Sequence, residues 1–478
     1  MKKSFSNMFN PDVMLQKMMS TFIYLTEKKS QIESNEWKPG QPLKILFAGY
    51  AGARNTGGDV RVEEMIRQVR HILGDEHIDL SILTIDKNLT QNYFEKVSQV
   101  KLPEIFPPFL YQECPKHHGV IACEGSMFKS KFADALSTMM AGSLGMANAQ
   151  GKLSVGYGAE AGFMNPPLKR FVKKYCHDSL VLCRNQESEK ILEDFHIRTA
   201  HGPDTAWTFR PSAKEKGQRL LQQQGWDGKT KILAIGPIHP FCWPVSPSIK
   251  KSFERFFWGK HKEQHYKSVY FHHTSPESEK KYQDYISAIA KAVKEFQKKH
   301  QVFPIIVGME KLDRKACEAL ASQLDVRPPL FVSDEYNMYD MVSILRCSSM
   351  LVTSRFHAIV CSMPGLVPSA GITMDERIRN ILTQRGHQHL LLTVDESNLQ
   401  EKLSDILDVL YNDAEKISHE IGKIIPKQLQ LMGEMGIAFE DEVKRLYPEF
   451  PFKHRNRVWH EYIPAVDPNI EKLMERFS

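Results

Sequence analysis

The sequence predicts an α/β protein with two doubly wound parallel sheets that face each other across a cleft, flanked by an N-terminal helical arm and a helical C-terminal tail. Two observations lead to this prediction. Short apolar runs alternate with segments of helical periodicity, which is the pattern of βαβ units and of parallel sheets covered on both faces. The alternation also comes in two series, separated by the polar, turn-rich stretch Gln222–Lys229.

The chain has 478 residues, enough for two or three domains at roughly 100–200 residues each. We divide it into an arm over residues 1–40, a first domain over 41–225, a second domain over 226–395 and C-terminal helices with a tail over 396–478. The ligand groups of each sheet are expected at the carboxyl ends of its strands, so the active site is expected in the cleft between the two domains.

Each domain has its own series of strand candidates. Those of the first domain are Ile45–Tyr50, Ile78–Ile85, Gly119–Cys123, Leu153–Tyr157 and Leu180–Cys183. Those of the second are Ile232–Gly236, Val269–His273, Phe303–Gly308, Leu330–Val332, Met350–Thr353, Leu366–Gly371 and Leu390–Thr393. In the arm, apolar residues from Met14 to Leu25 fall at helical spacing. That face should pack on the body or on a second subunit; contact with a membrane surface is the alternative.

Composition excludes several classes of protein. With 42% hydrophobic and 25% charged residues, whole-chain disorder and collagen-like structure are excluded. The net charge of +6 is mild and fits an anionic small substrate as well as nucleic acid. None of the eight cysteines forms a CxxC pair, so we expect reduced core thiols of a cytosolic protein. No apolar run approaches the length of a membrane span.

The Gly-rich segment Ala53–Asp59 lies between a strand and a helix. Glycines let backbone N–H groups approach an anion, and the helix N-terminus adds positive potential. The segment matches neither the GxGxxG fingerprint nor a Walker A loop. The alternative is a tight turn in which Asp59 caps the helix.

A second segment, Thr353–Ala358, follows an apolar strand and opens an apolar helix. It places Arg355 and His357 at the carboxyl end of a strand, beside a helix N-terminus. Arg binds phosphate or carboxylate with two parallel hydrogen bonds, and His can carry a proton. Two such groups together are costly unless an anion joins them. The alternative is a structural Arg with a core His.

Four further polar positions follow strands or turns. Arg184 stands where a strand ends and a helix begins, and Asp375–Arg377 follows the strand that ends at Gly371. Asp204 is either a turn residue or a ligand, and Glu124 is either an acid or base with a raised pKa or the cap of the next helix. The adjacent histidine pairs have poor spacing for a metal, and we expect none.

In this order, the segments resemble the polysaccharide pyruvyl transferase family over roughly residues 44–395. The matching motifs are Asn55–Asp59 for G-N-x-G-D with an extra glycine, Glu124–Gly125 for a Gly-rich strand end, Arg184–Ser188 for R-D-x-x-S with Asn185 in place of Asp, Pro203–Ala206 for P-D-x-A, Arg355–Ala358 for R-x-H-A, Gly365–Pro368 for G-x-P, and Asp375–Arg377 for Asp-x-Lys with Arg in place of Lys.

The resemblance implies a GT-B-like pair of Rossmann-like domains, with the acceptor on residues 41–225 and the donor on residues 226–395. It implies the transfer of pyruvate from phosphoenolpyruvate (PEP) onto a sugar or lipid-linked glycan as a ketal, in cell-surface polysaccharide or glycan synthesis. No cofactor is expected besides PEP as donor substrate, and no nucleic acid. A cytoplasmic location is expected; peripheral membrane contact and a homo-oligomer stay open.

The site residues implied by the resemblance fall into two groups. The catalytic group is His357, Glu124 and Asp59. The substrate-binding group is Arg184, Arg355, Phe356, Arg377, Asn55, Gly57, Gly58 and Asp204. Two rival functions stay open at this point. One is a GT-B glycosyltransferase that uses a nucleotide sugar; the other is a non-catalytic binding protein with this fold.

Overall fold

A computed structural model of the protein describes residues 10–33, 35–262, 265–267 and 269–477, so the first nine residues of the predicted arm lie outside the described residues. Two parallel sheets organise the chain. The first has seven strands in the order β3-β2-β1-β4-β5-β6-β7, and the second has six in the order β13-β12-β8-β14-β15-β16. Both orders are doubly wound, which confirms the predicted fold class. The domain limits set from the sequence stay a proposal.

The strands of the first sheet are β1 Leu43–Ala51, β2 Ile78–Thr84, β3 Ser98–Lys101, β4 Gly119–Ala122, β5 Leu153–Ala159, β6 Leu180–Cys183 and β7 Arg198–His201. Those of the second are β8 Lys231–Gly236, β12 Val302–Gly308, β13 Leu330–Val332, β14 Met350–Thr353, β15 Ser369–Thr373 and β16 Leu391–Thr393. The three short strands β9 Ser246–Pro247, β10 His265–Lys267 and β11 Tyr270–Phe271 form a separate antiparallel sheet.

The helices up to the second sheet are α1 Pro11–Ser30, α2 Thr56–Leu73, α3 Pro107–Glu113, α4 Asp134–Asn148, α5 Pro166–Tyr175, α6 Gln186–Glu193 and α7 Lys214–Gln223. The second half of the chain has α8 Ile249–Trp258, α9 Pro276–Lys299, α10 Arg314–Ala321, α11 Met338–Cys347, α12 Phe356–Ser362, α13 Glu376–Gln384, α14 Leu399–Asn412, α15 Ala414–Gly422, α16 Ile425–Leu446 and α17 Pro468–Phe477.

Two differences from the sequence prediction concern strands. The outer strands β3 and β7 were not predicted, because edge strands are short and their sequences, SQVK and RTAH, are largely polar. The prediction of a main-sheet strand over Val269–His273 is wrong. Tyr270–Phe271 pairs antiparallel with Ser246–Pro247 in the three-stranded sheet, and the second parallel sheet passes from β8 to β12 instead.

The long helix α16 leaves the second domain and packs on the first. The amide Nε2 of Gln68 donates to the carbonyl of Met432 over 2.7 Å, and the guanidinium of Arg198 lies 2.7 Å from the carboxylate of Glu442. The sulfur of Met435 fills the space in which a side chain at Gly202 would lie. The helix α16 therefore completes the helical layer over β5–β7.

The arm helix α1 packs on α4, as its apolar face predicts. Met19 and Ile23 are buried. They lie over Gly142 and Gly145, where an added Cβ would come within 2.0 Å of the Met19 methyl and 3.0 Å of the Ile23 Cδ1. Small residues on α4 therefore let the arm approach closely.

Deletion of residues 1–35 is expected to leave the protein soluble but to lower its melting temperature, because the apolar surface of α4 loses its cover. Met19→Ala alone should cost about 2–5 kcal/mol of unfolding free energy. Met14→Ala, at a half-exposed position of the same helix, should cost much less. Thermal and urea unfolding with a sizing column check this. Unchanged melting and size after the deletion would contradict the expectation.

Candidate active site

The carboxyl ends of the two sheets meet at the Gly-rich loop that follows β1. The amide of Thr56 donates to the carbonyl of Met309 over 2.8 Å, and the amide of Lys311 donates to the carbonyl of Arg54 over 3.2 Å. Asn55 forms an isolated β-bridge with Glu310. The loop predicted to bind an anion is therefore docked on the end of β12, in the second domain.

Asn55, not Asp59, is the N-cap of α2. The side-chain oxygen of Asn55 accepts from the amide of Gly58 over 3.2 Å, and its carbonyl accepts from the amide of Asp59 over 2.9 Å. The alternative in which Asp59 caps this helix is therefore wrong. The roles of Asn55, Gly57 and Gly58 in substrate binding stay predictions.

Gly57 lies directly against the imidazole of His357, which belongs to the first turn of α12. A Cβ at position 57 would be 2.3 Å from both Cγ and Nδ1 of the ring. A side chain at this position is excluded as long as the histidine keeps its place. The glycine thus lets the N-terminus of a first-domain helix touch the histidine of the R-x-H-A motif.

Asp204 joins the two domains through a single carboxylate oxygen. Its Oδ2 accepts from Nη1 of Arg184 over 2.8 Å, and lies 3.0 Å from Nε of Arg61 and 3.3 Å from Nε2 of His357. Its Oδ1 accepts from the amide of Ala206 over 3.0 Å. Asp204 is therefore a turn residue and a hydrogen-bond partner of the site at the same time.

Arg61 is completely buried. Its Nη2 donates to the carbonyl of Gly158 over 2.7 Å. An added Cβ would be 3.1 Å from the Arg61 guanidinium at Gly125 and 3.0 Å from it at Gly158. These two glycines make room for the guanidinium, so the Gly-rich strand end at Gly125 has a structural role here.

The charge states of this cluster follow from its surroundings. Burial alone would raise the pKa of Asp204, but Arg61 first, then His357 and Arg184, hold it well below its usual range. Burial lowers the pKa of His357 to about 4, against the pull of Asp204. Because the two arginines already compensate Asp204, His357 is neutral at pH 7. Its Nε2 then carries the proton that faces the carboxylate, and Nδ1 has the lone pair.

Stability is expected to fall as the pH drops from about 6.5 to about 4. The folded-state pKa of His357 lies below the unfolded value, so the unfolded chain binds more protons in this window. The shift corresponds to roughly 3 kcal/mol of unfolding free energy. Urea unfolding at several pH values should show a shallower fall for His357→Gln than for the wild type. The exposed His454→Gln serves as control, and equal pH dependence in all three proteins would contradict the assignment.

The cations predicted to hold an anion are compensated by carboxylates of the chain. Arg184 also contacts Glu160. Lys129, which was not predicted, lies 3.2 Å from Glu160 and 2.5 Å from Glu376. The guanidinium of Arg377 lies 2.6 Å from the carboxylate of Asp375. A ligand in this region would meet ion pairs rather than isolated cations.

Arg355 shows the same compensation in the second domain. Its Nε donates to Asp313 over 2.9 Å, and its Nη2 lies 2.9 Å from Glu310. The anion that Arg355 requires is thus supplied by the residues that follow β12. Within the part of the chain that the structure describes, Nη1 of Arg355 has no hydrogen-bond partner, and neither has Nη1 of Arg377. Of these two arginines, Arg377 lines the cleft described next, and Arg355 is not part of that lining.

A cleft lies beside this network. Arg184, Asp204, Phe356 and Arg377 contribute to its lining. The guanidinium of Arg184 lies 4.9 Å from the centre of the Phe356 ring. Four of the predicted substrate-binding residues are therefore brought together around one opening.

Asp59 and Glu124 form a second, buried group of carboxyl side chains. Burial, and next the charge of Glu124, raise the pKa of Asp59 well above its usual range. Oδ2 of Asp59 has no hydrogen-bond partner among the described residues. Oε1 of Glu124 accepts from the amide of Tyr50 over 3.3 Å. The next helix begins only at Asp134, so the capping alternative for Glu124 is wrong.

Sequence reasoning missed five charged residues of this region, namely Arg61, Lys129, Glu160, Glu310 and Asp313. Glu160 and Glu310 each follow a buried strand within a few residues, so the rule applied to Glu124 would have found them. Arg61 gave no such signal, because it lies within an amphipathic helix. No group of three or more His, Cys, Asp or Glu side chains suited to a metal occurs among the described residues.

A known protein family and several solved structures resemble this chain. A family model described as polysaccharide pyruvyl transferase matches residues 55–376. Curated protein sequences give no match. Solved structures that resemble the chain include HepE from Anabaena in complex with UDP-glucose, with 13% identity, a TM-score of 0.53 and coverage of 84% of this chain and 100% of that chain.

A second similar structure is the UDP-GlcNAc 2-epimerase from Methanocaldococcus jannaschii, with 12% identity, a TM-score of 0.49 and coverage of 78% of this chain and 93% of that chain. At these identities the likeness to HepE shows the fold alone. In the described part of the chain, no helix combines the length and the apolar character that crossing a membrane requires.

Proposed function

The chain belongs to the polysaccharide pyruvyl transferase family and is therefore a transferase, and from this premise we propose that it transfers the enolpyruvyl unit of PEP onto two hydroxyls of a sugar in cell-surface polysaccharide or glycan synthesis. The products are a pyruvate ketal and phosphate. The observation that carries the proposal is the meeting of Arg355, His357 and Gly57 between the two sheets. There a cation, a neutral imidazole and two helix N-termini come together.

The donor would be held by its two anionic groups. PEP carries a phosphate and a carboxylate, and Arg355 and Arg377 each keep one N–H edge without a partner among the described residues. Hydrogen bonds from a guanidinium to such anions are stronger than neutral ones, at about 1.5–3 kcal/mol each. Since both arginines are already paired with carboxylates, they orient the donor without adding a large positive field.

The proposed reaction moves two protons. The methylene carbon of PEP gains one and becomes a methyl group, one sugar hydroxyl adds to C2, and the second hydroxyl displaces phosphate from C2. One hydroxyl proton replaces the proton spent on the methyl group, and the other leaves with phosphate. Asp59, whose pKa is raised by burial and by the charge of Glu124, is the proposed acid. His357, neutral at pH 7, is the proposed base.

Arg355→Ala is expected to weaken PEP binding by about 30–150-fold, because roughly 2–3 kcal/mol of charge-assisted hydrogen bonding is lost. Titration of PEP by calorimetry checks this on protein whose folding has been verified. Arg314→Ala is the control, since Arg314 also pairs with carboxylates but lies on the surface of the second domain. Equal PEP affinity of Arg355→Ala and the wild type would remove Arg355 from the donor site.

The proposed function is tested by thermal shift with PEP, UDP and GDP, followed by phosphate release with candidate sugar acceptors. Stabilisation by PEP and release of phosphate support the proposal. The similar structure of HepE holds UDP-glucose, so stabilisation by UDP or GDP without an effect of PEP would favour a glycosyltransferase that uses a nucleotide sugar. Stabilisation by none of the three would favour a non-catalytic binding protein.

A further inference from the structure

The helix α8 exposes three aromatic side chains over a single short segment. Phe253, Phe256 and Trp258 have exposed fractions of 59%, 81% and 67%. Each has contacts of its own within the protein, but most of its surface faces solvent. Phe253 and Phe256 are three positions apart and so share one side of the helix. Single exposed apolar residues are ordinary, whereas Phe253 and Phe256 lie side by side and Trp258 adds exposed apolar surface at the end of the same helix, which together mark an interaction surface.

Basic residues surround these aromatic side chains. Between positions 250 and 262 the sequence has five basic residues, Lys250, Lys251, Arg255, Lys260 and Lys262, and one acid, Glu254. The side chain of Lys250 is 85% exposed, and Lys260 and Lys262 are exposed. Glu254 lies 2.7 Å from His261 and 3.9 Å from Lys250. The solvent-facing side of α8 therefore combines apolar rings with an excess of positive charge.

This combination matches the chemistry of an anionic lipid surface. Aromatic rings settle at the level of the headgroups, and lysines beside them attract negatively charged phospholipids. Lysine is depleted at the core of protein–protein interfaces, which makes a protein partner a poorer match. We propose that α8 docks this protein on the surface of an anionic membrane.

The unit that carries α8 also contacts the candidate active site. Trp243, which precedes β9, packs edge-to-face on Phe132 with ring centres 5.3 Å apart. The guanidinium of Arg377 lies 5.0 Å from the centre of the same Phe132 ring. Trp243 and Phe132 therefore connect the segment that precedes α8 to Arg377. Delivery of a lipid-linked acceptor from a membrane at α8 to the candidate active site rests on the proposed function, whereas the docking of α8 on the membrane does not.

Flotation of the full chain with vesicles tests the docking. The vesicles are phosphatidylcholine alone and phosphatidylcholine with about one third phosphatidylglycerol, at low ionic strength. The wild type should float with the second kind only. Phe256→Ser combined with Trp258→Ser, and separately Lys260→Glu combined with Lys262→Glu, should each lower partitioning to anionic vesicles by about tenfold or more. Ile105→Ser, at a position as exposed as Trp258 but on the first domain, should float like the wild type.

Several results would overturn the proposal. The first is that the wild type does not float with anionic vesicles. The second is that the α8 variants float as the wild type does. The third is that flotation is lost when Met14→Ser and Leu25→Ser are combined on the arm, while the α8 variants still bind. Self-association that disappears in Phe256→Ser, seen on a sizing column without any vesicle binding, would replace the membrane by a second copy of the chain. Phosphate release from PEP with a water-soluble acceptor should be unchanged in the α8 variants. The test of the proposed function is therefore independent of the test of membrane docking.

Discussion

His357→Gln is expected to lower turnover by about 100-fold or more while PEP still binds. Glutamine keeps the size and one hydrogen bond to Asp204 but cannot gain or release a proton near neutral pH. The histidine is neutral at pH 7, because burial lowers its pKa to about 4, so its Nδ1 is unprotonated, as a general base requires. Phosphate release at saturating PEP, normalised to folded protein, measures the effect.

The control for this variant is His387→Gln. His387 is also buried and lies 2.7 Å from a carboxylate, that of Glu420, but it is outside the cluster around Asp204. Its loss should lower stability without changing turnover per folded molecule. If His357→Gln behaves in the same way, His357 is a packed core residue and the catalytic assignment is wrong. The fold does not depend on this outcome.

Asp204→Asn is expected to destabilise the protein by about 3–5 kcal/mol, which is the usual cost of leaving a buried charge uncompensated. Arg184 would keep Glu160, but Arg61 would be left with the backbone carbonyls of Gly158 and Cys123 as its hydrogen-bond partners. Arg61 has no exposed surface, so water cannot take over. Urea unfolding at pH 7 measures the loss.

Asp334→Asn is the matched control for this effect. Asp334 lies 2.5 Å from Nε of Arg314, and both side chains are partly exposed, at 20% and 27%. Its loss should cost no more than about 1 kcal/mol, because water screens and replaces the pair. Similar losses for the two variants would mean that the ion pairs around Asp204 do not carry the stability assigned to them.

The sequence was sufficient for the fold because buried parallel strands are almost entirely apolar. Leu180–Cys183 and Met350–Thr353 have no exposed residue and were predicted with their observed limits. The side chains of the edge strands Ser98–Lys101 and Arg198–His201 are all partly or fully exposed, so the sequence has no apolar run that would indicate these strands. The strand Tyr270–Phe271 of the small sheet could not be distinguished from a strand of the main sheet, because a short apolar run in the sequence does not indicate whether the strand pairs parallel or antiparallel.

The candidate site was predictable in its positions and not in its charges. Strand ends and turns gave Arg184, Asp204 and Arg355. Their compensation depends on residues distant in sequence, such as Arg61 for Asp204, and pairings of this kind appear only when the chain is folded. Sequence reasoning therefore expected a cationic pocket that an external anion would neutralise, whereas the structure has a nearly balanced network.

The return of α16 to the first domain has a consequence for biosynthesis. The chain emerges from the ribosome with its N-terminus first, and the seven strands of the first sheet have been synthesised by about residue 201. The helix that covers β5–β7 ends only at residue 446. The apolar face of β5–β7 therefore stays exposed until the whole second domain has been synthesised. Premature termination between the end of the first sheet and the end of α16 should therefore produce a fragment that aggregates or engages chaperones.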